Sequence, residues 1–216
     1  MNLMRPFIFE NYPNLLNHVS LSAPQIEAQI AAYELVFLPT RNAEVEWKIA
    51  FPTFLKPFYK YVWQQNQIPT QQDYWQYYVA ENDAFFESTA FADDILLGLQ
   101  ARVFRTYPSL VRDIHFVFYL QTQLPQAQVL YNTQLDVKEG IDVLVVHDEQ
   151  FWAFNLYTPT RRAQESRAKK QHRHHLFDNV NYHELPVIFD KQHQIGAFFL
   201  YGERELAQIK KWIGCA

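Results

Sequence analysis

The sequence predicts an α/β fold, a mixed central sheet flanked by helices, preceded by an N-terminal helical region. Three observations predict it. The first third of the chain repeats apolar residues at helical spacing between Pro and Thr/Ser punctuation. From residue 114 onward, short apolar runs rich in β-branched and aromatic residues alternate with polar turns. Helical stretches then interrupt and close the series, an order that suits a mixed sheet with helices packed against it.

In chain order, Ser22-Ala23-Pro24 sets a cap residue and a proline at a helix start, and Ile26, Ile30, Tyr33 and Val36 keep the period until Pro39-Thr40. A second helix is predicted from about Pro52 to Gln65, kinked at Pro57 or starting there. Pro69-Thr70 opens a third, with Thr70 as its cap and Asp73 at its positive end. The aromatics of these helices follow helical spacing and are expected in a packed core ahead of a base-stacking role. A longer helix is expected from Asp83 to Arg105, ended by Pro108. Strands are then expected at Ile114–Leu120, Ala127–Tyr131, Ile141–Val146, Phe151–Tyr157, Leu185–Phe189 and Ile195–Tyr201. The turn His147-Asp148-Glu149-Gln150 joins the third of these to the fourth. Arg161–His175 reads as a basic helix and Glu203–Ile213 as a closing one. The predicted division is 1–82, helical, and 83–216, the α/β core, with the two halves packing as one body.

Composition narrows the function. The chain has 216 residues, a formal charge of −4, five glycines and one cysteine. Neither GxxxxGK[ST] nor GxGxxG occurs, which disfavours P-loop and dinucleotide-binding domains. The single Cys215 excludes an intramolecular disulfide and CxxC chemistry and fits a reducing, cytoplasmic setting. No signal peptide and no membrane span are expected. His172, His174 and His175 do not share one helical face and stand near no Cys, so a zinc site is not expected. His115, in an apolar run, is expected as a hydrogen-bonded core residue.

Two features carry chemistry. In the first, Gly140-Ile141-Asp142 opens a strand, a tight turn follows, and Phe151–Tyr157 returns beside it. Carboxylates so placed can hold Mg²⁺, which polarises a phosphodiester and activates water. The second is the stretch Arg161–His175, with six Lys/Arg against one acid. It carries +5, which leaves −9 for the rest of the chain. Such a local patch on an acidic body is what phosphate contacts require.

On those residues the chain resembles the PD-(D/E)xK, or restriction-endonuclease-like, nuclease superfamily. The likeness runs over roughly residues 85–200, mainly in the order of elements. It implies a restriction-endonuclease-like core and a metal-dependent DNA endonuclease, or a catalytically degenerate DNA-binding relative, in restriction, repair, transposition or defence. By resemblance Asp142 ligates Mg²⁺ with Glu139 or Glu87 assisting, the preceding helix also offering Asp93 and Asp94. Asn155 and Tyr157 stand where the family carries (D/E) and Lys, so the (D/E)xK signature is incomplete. Arg161, Arg162, Arg167, Lys169, Lys170 and Arg173 would hold phosphates of a nucleic acid, DNA first. The alternative is a non-enzymatic protein–protein interaction module or assembly subunit, meeting its partner through the aromatic N-terminal helices.

Overall fold

A computed structural model describes residues 5–159 and 177–215. The basic stretch, with Arg161, Arg162, Arg167, Lys169, Lys170 and Arg173, lies outside the described residues.

Among the described residues six α-helices precede the sheet: α1 (Ala23–Ile30), α2 (Ala43–Trp47), α3 (Leu55–Gln65), α4 (Gln71–Glu81), α5 (Asp83–Glu87) and α6 (Asp93–Gln123). Their starts follow local chemistry. Thr70 Oγ1 accepts from the N–H of Asp73 at 3.1 Å and donates to its carboxylate at 2.6 Å, capping α4. Pro57 sits in the first turn of α3, where a backbone N–H has no helical partner to lose, so the helix begins at Leu55 without a break. By contrast α1 stops at Ile30, short of the predicted Val36. The glycine turn at Gly196 abuts its end so closely that a Cβ there would lie 3.0 Å from the Ile30 and Ala31 carbonyls. The chain turns away, and the Val36 N–H goes to Gln71 Oε1 at 2.7 Å.

The largest correction concerns α6. The predicted helix from Asp83 is two helices, and Pro108 does not end the second. The predicted strand Ile114–Leu120 is its C-terminal half. Proline normally breaks a helix because the carbonyl four residues back loses its donor. Here that carbonyl is Phe104 O, and Gln71 Nε2 of α4 donates to it at 3.0 Å. The apolar run looked like a strand because all of it but Tyr119 is buried: Ile114, His115, Phe116, Val117, Phe118 and Leu120 are each at most 2% exposed. A helix with no polar face shows no 3.6-residue period.

The sheet contains β1 (Gln128–Leu130), β2 (Val143–His147), β3 (Gln150–Tyr157) and β4 (Val180–Pro186), in the order β1-β2-β3-β4. β1 and β3 flank β2 antiparallel, and β4 lies parallel to β3. The mixed sheet flanked by helices is therefore present. The β2–β3 hairpin closes on the pair His147–Gln150, with Asp148 and Glu149 both at positive φ, as a two-residue hairpin turn requires. β4 starts five residues before the predicted Leu185. The predicted strand Ile195–Tyr201 is instead a small hairpin of β5 (Gln194–Ile195) and β6 (Phe198–Phe199). Helix α7 (Glu203–Ile213) closes the chain as expected.

The two sheet faces bury separate clusters. Val143, Val145, Phe154 and Leu156 join α6, α7 and the N-terminal helices, including Phe58, Tyr74 and Tyr78. Leu144 and Ala153, on the other face, meet Phe7, Tyr12 and Phe177. The first cluster is continuous across Asp83, so the N-terminal helices and the sheet share one core. Each buried large side chain in it is worth about 1.5–3 kcal/mol. No described helix is long and apolar enough to cross a membrane.

Candidate active site

Three acids from three elements converge at one end of the sheet. The first is Asp113. Thr106, Leu110 and Asp113 recur at helical spacing along α6, and with Ser109 they face one cavity of about 260 Å³. Beside Asp113, Arg112 is buried. Its Nη2 donates to Thr158 Oγ1 at 2.7 Å, just past the end of β3, and its Nε lies 3.6 Å from Asp113 Oδ1.

Asp136, the second, comes from a π-helical turn, Leu135–Glu139, between β1 and β2. Asn132 Oδ1 caps that turn by accepting from the N–H groups of Gln134 and Leu135 at 2.8 and 3.3 Å. Gly140 ends it at φ 72°, a conformation costly for any residue with a Cβ. Held this way, Asp136 is 8% exposed and accepts from Tyr131 Oη at 3.0 Å.

Asp142, the third, immediately precedes β2. The last ladder pair of the hairpin is Val143–Phe154, so Asp142 lies one step further, across from Asn155. Its Oδ2 accepts from the Leu156 N–H at 2.6 Å, so a side chain stands in for the next rung. Asp136 and Asp142 line the same cavity as Asp113, and each carboxyl raises or restrains the ionisation of the other. Tyr59 of α3 lines the cavity with the three acids, and its ring centroid lies 4.7 Å from that of Tyr131, the donor to Asp136.

Burial sets the electrostatics. It raises Asp136 to about 7, with the Asp113 charge adding to the rise and the Tyr131 hydrogen bond opposing it. Asp142 is raised well above the usual carboxylate range, by burial first, then by the charges of Asp136 and Asp113. Asp113 is raised by burial to about 6, against the pull of Arg112. Three carboxyls in one low-dielectric pocket cannot all ionise unaided. Tyr59 and Tyr131, raised well above 10 by burial, stay neutral and can donate.

Of the residues singled out from sequence, Asp142 stands at the centre and Asn155 beside it. Tyr157 is two residues further along β3, on the same strand face as Asn155. Glu139 is engaged elsewhere, in an ion pair with Arg5 Nη2 at 2.9 Å. Glu87 is exposed at the end of α5, and Asp94 Oδ2 accepts from Asn42 Nδ2 at 3.1 Å at the start of α6; neither lines the cavity. Sequence reading missed Asp113 and Asp136. The helical spacing of Thr106, Leu110 and Asp113 was the available signal for Asp113, obscured once Pro108 was taken as a helix end. Among the described residues, no group of three or more His, Cys, Asp or Glu side chains stands ready to hold a metal ion. No family model, no curated protein and no solved structure matches the chain.

Proposed function

We propose that this is a nucleic-acid-acting protein with a nuclease-like core, a metal-dependent DNA endonuclease centred on Asp142, Asp136 and Asp113. The observation that carries the reading is that Asp113, Asp136 and Asp142, from three separate elements, line one cavity at the open end of the β2–β3 hairpin. Element order is compatible with it: a helix, then a strand opened by Asp142, a returning strand and a further strand follow in the sequence that the resemblance implies. The connection from β3 to β4 contains the basic residues 161–173, so the strand carrying Asn155 leads into the main cationic stretch.

The donor set fits Mg²⁺. That ion takes oxygen ligands, keeps several waters and commonly needs only one or two carboxylates plus substrate phosphate. Asp136 and Asp142 would hold it, and its charge would relieve their mutual repulsion. When bound, it supplies polarisation of a phosphoryl oxygen and a more acidic water. The protein's own groups do the positioning. The Leu156 N–H fixes Asp142, Tyr131 fixes Asp136, and Arg112 joins Asp113 to the end of β3. Tyr157 carries no cation, and Arg112 is the buried cation beside the acids.

The test is cleavage of plasmid and single-stranded DNA with Mg²⁺ or Mn²⁺, comparing the wild type with Asp142→Ala and Asp136→Asn. Metal-dependent cutting that both variants lose is the expected result. A folded wild type that binds DNA without cutting makes the core a degenerate, DNA-binding one. Neither binding nor cutting refutes the reading and leaves the protein–protein module.

A further inference from the structure

The acid-lined cavity is not isolated. It meets two neighbours at Thr53, one of about 470 Å³ and one of about 270 Å³. Helix α3 is the wall between the acids and the larger neighbour: Leu55 and Tyr59 line the acid side, and Lys56 and Lys60 line the other. Lys56 and Lys60 are four residues apart, hence one above the other on a single helix face with a rise of about 6 Å between them. Both are exposed. Arg102 lines the third cavity, its guanidinium over the Phe54 ring at 5.4 Å. Cations therefore line a trough made of the two cavities that share Pro52 and Thr53, and this trough adjoins the acid-lined cavity at Thr53.

Resting on the nuclease reading, we infer that this trough is a phosphate-binding subsite for the nucleic-acid backbone, with Lys56 and Lys60 as its contacts. A scissile phosphate brought to Asp136 and Asp142 must carry its neighbours along. The acids repel those neighbours, and a protein of net charge −4 holds a polyanion only where cations are gathered. The trough offers that next to the acids, from the N-terminal helices and independently of residues 161–173. Glu81 at the end of α4 opposes phosphate there: it pairs with Lys60 and places a negative charge in the lining of the same cavity.

The experiment is fluorescence anisotropy of a labelled duplex oligonucleotide in EDTA, across a salt series. The proteins compared are the wild type, Lys56→Ala/Lys60→Ala, Glu81→Gln, and Lys191→Ala/Lys211→Ala. The last removes the same charge from exposed sites outside the trough. The trough double variant is expected to bind on the order of ten-fold more weakly, with a salt slope smaller by about two. Glu81→Gln is expected to bind more tightly, a gain that damage to the fold would not produce. If the wild type binds and the trough variant matches Lys191→Ala/Lys211→Ala, the subsite is refuted while the nuclease reading stands. A folded wild type that does not bind DNA refutes the subsite, and the nuclease reading falls with it only if cleavage with Mg²⁺ or Mn²⁺ is absent as well.

Discussion

Asp136 provides a quantitative test of the acid cluster, through Asp136→Asn. Its carboxyl moves from an ordinary 3.8 to about 7 on folding because it is buried. Below about pH 4 both folded and unfolded chains hold this proton, and the group has no effect on stability. Between about pH 4 and 7 the folded chain keeps a proton that the unfolded chain has lost, so stability falls as pH rises. At 1.36 kcal/mol per pKa unit, the full loss is on the order of a few kcal/mol, most of it above pH 5. Asparagine keeps an oxygen to accept from Tyr131 and cannot ionise. The variant should therefore match or trail the wild type at pH 5 and exceed it at pH 8 by about 2–4 kcal/mol. Urea titrations followed by tryptophan fluorescence at both pH values measure this. Mg²⁺ at pH 8 should stabilise the wild type and leave the variant unchanged. Parallel pH dependence in the two proteins would refute the buried-acid argument and, with it, the charge deficit proposed to draw a cation.

Further outcomes follow from the same geometry. Gln71→Ala should cost about 2–4 kcal/mol in chemical denaturation, because it strips partners from Phe104 O and the Val36 N–H together. Adding Pro108→Ala should recover about 1 kcal/mol of that loss, since residue 108 regains an N–H for Phe104 O; strict additivity in the double-mutant cycle would contradict it. Glu149→Gly, at φ 61° in the β2–β3 turn, should raise stability by about 0.5–1 kcal/mol, read as a higher urea midpoint at constant slope. Phe58→Ala should cost about 3–5 kcal/mol, as that ring is fully buried against Tyr74 and Tyr107.

What the sequence determined by itself is what rests on contacts a few residues apart. The Thr70–Asp73 cap, the hairpin around Asp148-Glu149 and α7 were all legible, because their hydrogen bonds close within a turn. So was Asp142, marked by the Gly140-Ile141-Asp142 entry into β2. Tertiary structure decided the rest. The helical period of Ile114–Leu120 was hidden because neighbours cover all of it but Tyr119, which removes the polar face that would have revealed it. Pro108 lies within α6 because Gln71, 37 positions earlier, replaces the missing donor. The site's composition was decided in the same way. Glu139 turned to Arg5, and Asp113 and Asp136 came to Asp142 from α6 and from the turn after β1. Burial, which no single stretch of sequence encodes, is what sets the charge of all three acids.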